Sequence, residues 1–388
     1  MGYVAVSGGR EAIDASLDLL ELSRVSSGRA LDADLVADAL PELTGQVQSE
    51  GSLWCPQIAA TAVKQTRGSV EEAVFLVRAY RSTLERLYVS RTIDTADMSV
   101  GRRISAAFKD VPGGQILGPS RDYSHRLINF GLLDEDDADV RASSSRILAR
   151  LDAAGADLVS DGDPEDARLP KVVEYLRSLG LVRSWERDDT PPTDVTKTPL
   201  FFPAPRSVVL QVLSRGLTQA VVSFGYAAIR GFGVMHPTVG ELRRGMLPVT
   251  VDAPGADGGD AEDAYYLGSI PVCEVESVIV VDEQEGGEHR SSLDLGYGLV
   301  MGYDESKAIA MSVLDYALRS DDHRYPTQDQ EFVLSHIDGV EATGFISHLK
   351  LPHYVTFQSK LDSALRSRAA NEKVVADVAP AADGRKVR

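Results

Sequence analysis

His348 and His353 stand five residues apart, with four between them, in "GFISHLKLPHYV", and imidazole nitrogens are common metal ligands. The spacing is awkward for a regular element. Five steps of about 100° on a helix, or of 180° on a strand, turn the two rings to different sides. Pro352 supplies a bend between them, because it lacks an N–H and pushes Leu351 away from helical geometry. Two ligands fall short of the four that a closed zinc site takes, so the others would come from elsewhere in the chain, from a substrate or from a partner. The competing reading is a pair of hydrogen-bonded histidines in a buried turn.

A second concentration is "HPTVGELRRGML", with His236, Glu241, Arg243 and Arg244. A carboxylate beside arginines suits the cleavage of a glycosidic bond in a phosphorylated sugar, since the carboxylate stabilises oxocarbenium character while guanidinium groups hold phosphate. Glu241 is the expected carboxylate, and His236 the expected general acid for the leaving base. The plainer alternative is a polar loop in which Glu241 pairs with an arginine.

Residues 110–131, "DVPGGQILGPSRDYSHRLINFG", place Gly113, Gly114, Gly118, Arg121, Asp122, His125 and Arg126 in one turn-rich stretch, just after Arg102, Arg103 and Lys109. Such a loop can offer backbone N–H groups and arginines to phosphate, or it can be an interdomain turn. It lacks the Gly-Lys-Ser/Thr of a P-loop and the dinucleotide fingerprint. No Gly-x-Ser-x-Gly elbow occurs, so nothing supports a serine hydrolase.

The elements that must position these groups are set in a chain of 388 residues, long enough for roughly two to three domains. The 40 Lys and Arg against 58 Asp and Glu leave a formal charge of −18. That balance argues against a general nucleic-acid or anionic-membrane binder and demands a local basic cluster for any anion. Two distant cysteines, Cys55 and Cys273, fit a reducing compartment and cannot build a three- or four-cysteine iron–sulfur site. With no secretory leader and no long apolar run, a cytoplasmic protein is expected.

The expected fold is α+β. Residues 1–132 are read as a mainly helical N-terminal domain after a strand-like "YVAVSGG", with Ser69 and Glu72 forming a capping box for a helix running through "VEEAVFLVRAYRSTLERLYV". Residues 133–198 combine an acidic insertion, a helix in "LPKVVEYLRSLGLV" and a proline-rich linker. Residues 199–368 form a mixed α+β domain. In it, "RSVVLQVLSRGLTQAVVSFGYAAIRG" reads as one buried helix and "AYYLGSIPVCEVESVIVVDE" as strands. In "LDLGYGLVMG", Gly296 and Gly298 mark a bulge or a close approach, and "DESKAIAMSVLDYALRS" is a capped helix. Residues 369–388 are expected to be a flexible tail.

Seven stretches in order, from "YVAVSGGREAID" through "FLVRAYRSTLERL", "RRISAAFKDVPGGQILGPSRDYSHRL", "DVTKTP", "HPTVGELRRG" and "GYGLVMGYDESKAIAMSVLDYAL" to "QDQEFVLSHIDGVEATGFISHLKLPHYVTFQ", resemble the PhnI family of the bacterial carbon-phosphorus lyase system. The resemblance implies a role in phosphonate catabolism. With G, H and L subunits, family members displace adenine from MgATP by a phosphonate such as methylphosphonate, giving α-D-ribose 1-methylphosphonate 5-triphosphate. Alone they resemble a purine nucleosidase. The J subunit cuts the carbon–phosphorus bond, a K subunit is an expected further partner, and histidines matching His348 and His353 bind Zn²⁺ at the boundary with J.

In that setting Arg102, Arg103, Arg121, Arg126, Arg243 and Arg244 are expected to grip the triphosphate, whose charge is shared with Mg²⁺. The rival reading is a scaffold subunit with catalysis at its interfaces. An independent two-histidine metallohydrolase is disfavoured by the lack of a third ligand.

Overall fold

The computed structural model describes residues 9–154, 169–182, 190–231, 236–253, 264–285, 288–320 and 322–378. Among them are thirteen α-helices and four strands, and the protein is α+β. The chain divides into two compact units, one of residues 31–340 and one of residues 1–30 with 341–388.

The larger unit is organised on an antiparallel sheet in sequence order, β1 (Ser99–Ile104), β2 (Thr238–Asp252), β3 (Ala264–Glu285) and β4 (Glu288–Met301). The Glu-Arg-Arg cluster, for which a polar loop is the plainer alternative reading, lies on a strand over residues 238–252, and β1 is an edge strand inside the stretch expected to be helical. Both carry β-branched residues between charges, and each charged side chain is lodged on a face of the sheet. Because β1 pairs with β2, residues from the expected 1–132 and 199–368 blocks share one sheet.

Helices cover one face of that sheet. α8 (Arg206–Arg215), α9 (Thr218–Arg230) and α10 (Glu305–Ala317) bury Val209, Leu213, Val221, Met311 and Leu314 against Leu242, Val275 and Val300. Gly296 and Gly298 are sites of close approach. A Cβ on either would strike a carbonyl oxygen of α10, that of Ser312 or of Ala308, so only glycine lets the helix lie this close to β4. The single helix expected over 206–231 is two, because the Leu217 N–H donates to the Ile337 carbonyl at 2.6 Å and leaves the helical ladder.

On the other face sit α7 (Val172–Ser178) and the residues around Met98, packing Val172, Val173 and Leu176 on Val278 and Leu295, and Met98 on Leu247 and Val272. A separate helical core joins α2 (Ala33–Ala39), α3 (Pro41–Gly51), α4 (Pro56–Gln65) and α5 (Val70–Ser82) through Val36, Val47, Ala60, Val63, Val74 and Val77. Proline opens α3 and α4, where its missing N–H costs nothing. Ser69 makes no side-chain cap, so the expected capping box is absent, and α5 stops at Ser82, where the Thr83 hydroxyl donates to the Tyr80 carbonyl at 2.7 Å. The acidic stretch holds one exposed helix, α6 (Asp137–Ala153), capped reciprocally by Asp136 and Asp139. Short α11 (Gln330–His336) is capped by Asp329.

The smaller unit contains α1 (Gly9–Val25), most of α12 (Gly339–His348) and α13 (Tyr354–Val378). Residues 369–378 of the expected tail continue α13, and residues 379–388 and the strand-like 3–8 lie outside the described residues. No helix among the described residues is long and apolar enough to cross a membrane.

Candidate functional site

Two adjacent arginines on each of two adjacent strands make a square, with Arg102 opposite Arg244 and Arg103 opposite Arg243. Side chains alternate along a strand, so the square sends one pair to each face of the sheet. This splits the six arginines expected to act together.

Arg103 and Arg243 enter a buried polar network under α7. Arg103 pairs with Glu241 and donates to the carbonyls of Pro112 (2.6 Å), Gly114 (3.2 Å) and Pro170 (2.7 Å). The second Glu241 oxygen accepts the Val172 N–H at 3.0 Å, and the residue is 2% exposed. Glu241 therefore faces the interior. Arg243 pairs with Glu274, which also receives Thr95 (2.6 Å), Lys171 (2.9 Å) and the Tyr297 hydroxyl (3.0 Å). Burial works to raise the Glu274 carboxyl, but Arg243 and Lys171 overcome it and hold it down at about 2. Next to it, burial pushes Glu276 up to about 7, opposed by Lys171 and reinforced by the charges of Glu274 and Glu241.

Arg102 and Arg244 belong to the α10 face, beside a cleft of about 880 Å³ between α3, the 119–126 loop and the N-terminus of α10. Arg244 lines it, as do Arg121 and Arg126. Arg102, 1% exposed, lies behind and donates to Glu305 at 2.8 Å and to Asp122. Arg244 lies over the Tyr303 ring, 5.7 Å from its centroid, and meets the same Glu305 oxygen at 3.3 Å. Arg121 pairs with Glu42 on α3. Asp122 of the same loop is turned toward Arg102. His236 is exposed just before β2 and does not line the cleft.

The glycine-rich loop meets the arginines through carbonyl groups. Leu117 accepts from Arg102 and Pro119 from Arg244, at 2.5 and 2.6 Å, in addition to the Arg103 contacts. Gly118 is at φ 55, and a Cβ there would lie 2.9 Å from that of Arg102. The arginines thus clamp the loop onto the strand edge rather than the loop offering N–H groups to a ligand.

Sequence reasoning missed Lys307. It is 1% exposed, stands in the first turn of α10 among the residues that line the cleft, and its buried ammonium group has no hydrogen-bond partner among the described residues. Burial pushes it down to about 8, against the attraction of Glu50 and Asp304. Its signal was a lysine three residues after the cap Asp304, which a helix pattern reads as surface.

In the smaller unit, α12 ends at His348 and α13 begins after His353, so the chain bends at the expected place. The bend brings the two rings to a centroid separation of 5.5 Å. Each Nδ1 faces a backbone carbonyl, Phe345 for His348 and Leu351 for His353, the latter at 2.6 Å. That fixes the tautomer and leaves Nε2 for a ligand, the arrangement found behind metal-bound histidines. His348 is half-buried and His353 exposed, so neither ring sits in the buried turn of the competing reading. The pair fits two positions of a zinc shell. No group of three or more His, Cys, Asp or Glu side chains that could hold a metal occurs among the described residues.

Comparison with known proteins agrees with the sequence resemblance. The family described as "Bacterial phosphonate metabolism protein (PhnI)" matches residues 2–371. The chain is 42% identical over 382 residues to the putative C-P lyase subunit protein HtxH of Stutzerimonas stutzeri, covering 97% of this chain and 98% of that one. It is 39% identical over 371 residues to the alpha-D-ribose 1-methylphosphonate 5-triphosphate synthase subunit PhnI of Escherichia coli K12, covering 93% and 96%. The Rhizobium meliloti subunit of the same name is 39% identical over 381 residues, covering 95% and 96%. The chain belongs to the PhnI family, a subunit family of the carbon-phosphorus lyase system in phosphonate metabolism.

Proposed function

We propose that this chain carries the ribosyl-transfer step of that system, displacing adenine from MgATP by an alkylphosphonate such as methylphosphonate. The names of the two synthase-subunit relatives support the product class. The observation that carries the reading is the cleft at α10, where Arg121, Arg126 and Arg244 come from separate parts of a strongly acidic chain to one opening. A triphosphate suits such a cluster, since guanidinium groups bind phosphate in a bidentate manner.

In the proposed reaction a phosphonate oxygen attacks C1 of the ribose, the C1–N9 bond breaks, and adenine leaves with the bonding pair and takes up a proton. A single displacement turns the β-nucleoside into an α-product. His236 is the proposed proton donor and, as it lies outside the cleft lining, would have to reach the leaving base from its exposed position before β2. Glu241, with both oxygens engaged by its own protein, is proposed to act through Arg103, which fixes the 112–114 turn behind the strand. Of the six arginines expected to grip the triphosphate, Arg102 is assigned to holding Glu305 and Asp122, and Arg103 and Arg243 to the buried network. Mg²⁺ would arrive with the nucleotide.

His348 and His353 are proposed to hold Zn²⁺ with the remaining ligands from the J subunit. Zinc would supply Lewis acidity and a fixed anchor at that boundary. G, H, L and K subunits complete the proposed set of partners.

A scaffold role is the second reading, favoured by the exposed apolar side chains around the histidine turn. Phe345, Ile346, Leu349, Tyr354, Val355 and Phe357 are each more than half exposed. Contiguous apolar surface of that kind marks a protein interface. Adenine release from MgATP by the purified chain, alone and with its partners plus methylphosphonate, separates the readings. Release by the chain alone supports ribosyl transfer here, and release that needs partners moves the chemistry to an interface. Silence in both leaves the scaffold.

A further inference from the structure

Lys307 is a buried ammonium group attracted by Glu50 and Asp304 but hydrogen-bonded to no side chain or carbonyl among the described residues. It is 1% exposed, its Nζ has no hydrogen-bond partner among the described residues, and yet it lines an 880 Å³ cleft. A buried charge left in this state costs several kcal/mol unless something pairs with it. Glu50 attracts it but is engaged elsewhere, accepting from Gln46 at 2.8 Å and from the Thr218 N–H at 2.9 Å.

The surroundings favour an anion at that spot. Lys307 sits in the first turn of α10, a helix of thirteen residues whose N-terminal end opens onto the same cleft through Asp304, Glu305 and Ser306. Helix N-termini carry partial positive charge and free N–H groups. Asp304 accepts the Lys307 N–H with its side chain at 2.9 Å and the Ala308 N–H with its carbonyl at 3.2 Å. The Glu305 N–H goes to the Tyr303 carbonyl at 3.1 Å, so the helix end acts through its dipole more than through free N–H groups. Arg244 reaches the cleft from β2, held by Glu305 at 3.3 Å and by Pro119 at 2.6 Å.

We propose that Lys307, Arg244 and the N-terminus of α10 form a polyphosphate subsite, with Lys307 Nζ as the buried ligand for a non-bridging phosphate oxygen. The subsite deepens the ribosyl-transfer reading and rests on it for the identity of the physiological ligand. Its own chemistry asks only for a linear polyphosphate. Carboxylates at Glu42 and Glu305 neutralise the arginines in the free protein and give them up to the incoming phosphates. Lys307 has no such placeholder, so it selects for a ligand that reaches the end of the cleft.

The test uses the full-length chain and inorganic triphosphate as probe, with calorimetry at pH 8 in two buffers of different ionisation enthalpy. Burial pushes Lys307 down to about 8, so binding is expected to draw a proton onto it, while the probe gives up part of its own last proton on meeting cations. The Lys307 contribution is therefore read as the difference between the parent and Lys307→Met. Lys307→Met is expected to keep or raise the melting temperature, to abolish that contribution and to weaken triphosphate about ten- to hundredfold. A variant that melts earlier while binding triphosphate as the parent does would make Lys307 a structural partner of Glu50 and overturn the subsite. Should the variant not fold, Arg244→Met takes its place, and unchanged triphosphate affinity in that variant overturns the subsite equally. Adenine release is read separately. Triphosphate binding without release, with or without partners, removes the ribosyl-transfer reading and leaves the subsite. Release that Lys307→Met does not alter, with unchanged triphosphate affinity, removes the subsite and leaves the reading.

Discussion

Arg103 on β1 and Glu241 on β2 are paired inside the protein, at 0% and 2% exposure, and together they fasten a loop, a helix start and a strand edge. The guanidinium reaches the carbonyls of Pro112, Gly114 and Pro170, and the carboxylate takes the first N–H of α7. The pair is therefore a junction in the fold.

Breaking a buried ion pair leaves one uncompensated charge, which costs about 3–5 kcal/mol. Glu241→Gln is expected to destabilise the chain by roughly 3 kcal/mol, seen as a lower denaturant midpoint. Its adenine-release rate should fall only as far as the folded fraction does. A variant of parental stability whose turnover has collapsed would return Glu241 to direct contact with the ribose.

Arg243 and Arg244 are neighbours with opposite duties. Arg243→Met strands the buried Glu274 carboxylate, and a stability loss of about 3 kcal/mol or more is expected. Arg244→Met leaves the partly exposed Glu305, still held by Arg102, and stability should change by no more than about 1 kcal/mol. Triphosphate affinity should show the reverse order, dropping about tenfold or more for Arg244→Met alone. Equal affinity losses in the two variants would contradict the division of the square between the faces.

Glu276 gives the fold a pH dependence. Its carboxyl is raised from 4.5 to about 7 in the folded chain, so between those values the unfolded chain loses the proton while the folded chain keeps it. Stability contributed by this group is full below about 4.5, falls as pH rises through the window, and stays low above it. Glu276→Gln is expected to equal the parent near pH 4.5 and to exceed it at pH 8 by at most about 3 kcal/mol. Denaturant midpoints at the two pH values check this, and a variant weaker than the parent at pH 8 would rule it out.

His348 is half-buried and His353 exposed, and neither belongs to a buried core, so replacing either by alanine should move the stability of the isolated chain by no more than about 1 kcal/mol. If they hold zinc, each replacement should remove the metal that copurifies with the assembled subunits, measured by elemental analysis. Undiminished zinc in both variants would dismiss the pair as ligands.

The sequence pattern disclosed elements by periodicity and capping, and hid what depended on pairing across the chain. α10 was legible through Asp304 and its apolar stripe, and Gly296 with Gly298 announced the close approach of that helix to β4. The bend at Pro352 foretold the meeting of His348 and His353. The arginine square was not legible. Its division between two faces follows from β1 and β2 being paired strands, and charged, glycine-flanked segments read as loops until their partners are known. Lys307 escaped for a related reason, since burial of a lysine is decided by α3 and the 119–126 loop closing over it, contacts separated by hundreds of residues. Leu217 shows tertiary structure overriding local preference, with one hydrogen bond to Ile337 cutting a helix in two.

The seating of α10 on Gly296 and Gly298 has a consequence for motion. With no gap between helix backbone and strand backbone, sliding or rocking of α10 would need β4 to move with it. The cationic end of the helix is therefore in place before any ligand arrives, and little ordering entropy is spent there on binding. Adjustment falls to the opposite wall, where Arg121 and Arg126 ride on an exposed loop. The cleft should close from the loop side onto a fixed floor, so that the rate of ligand release is set by the loop.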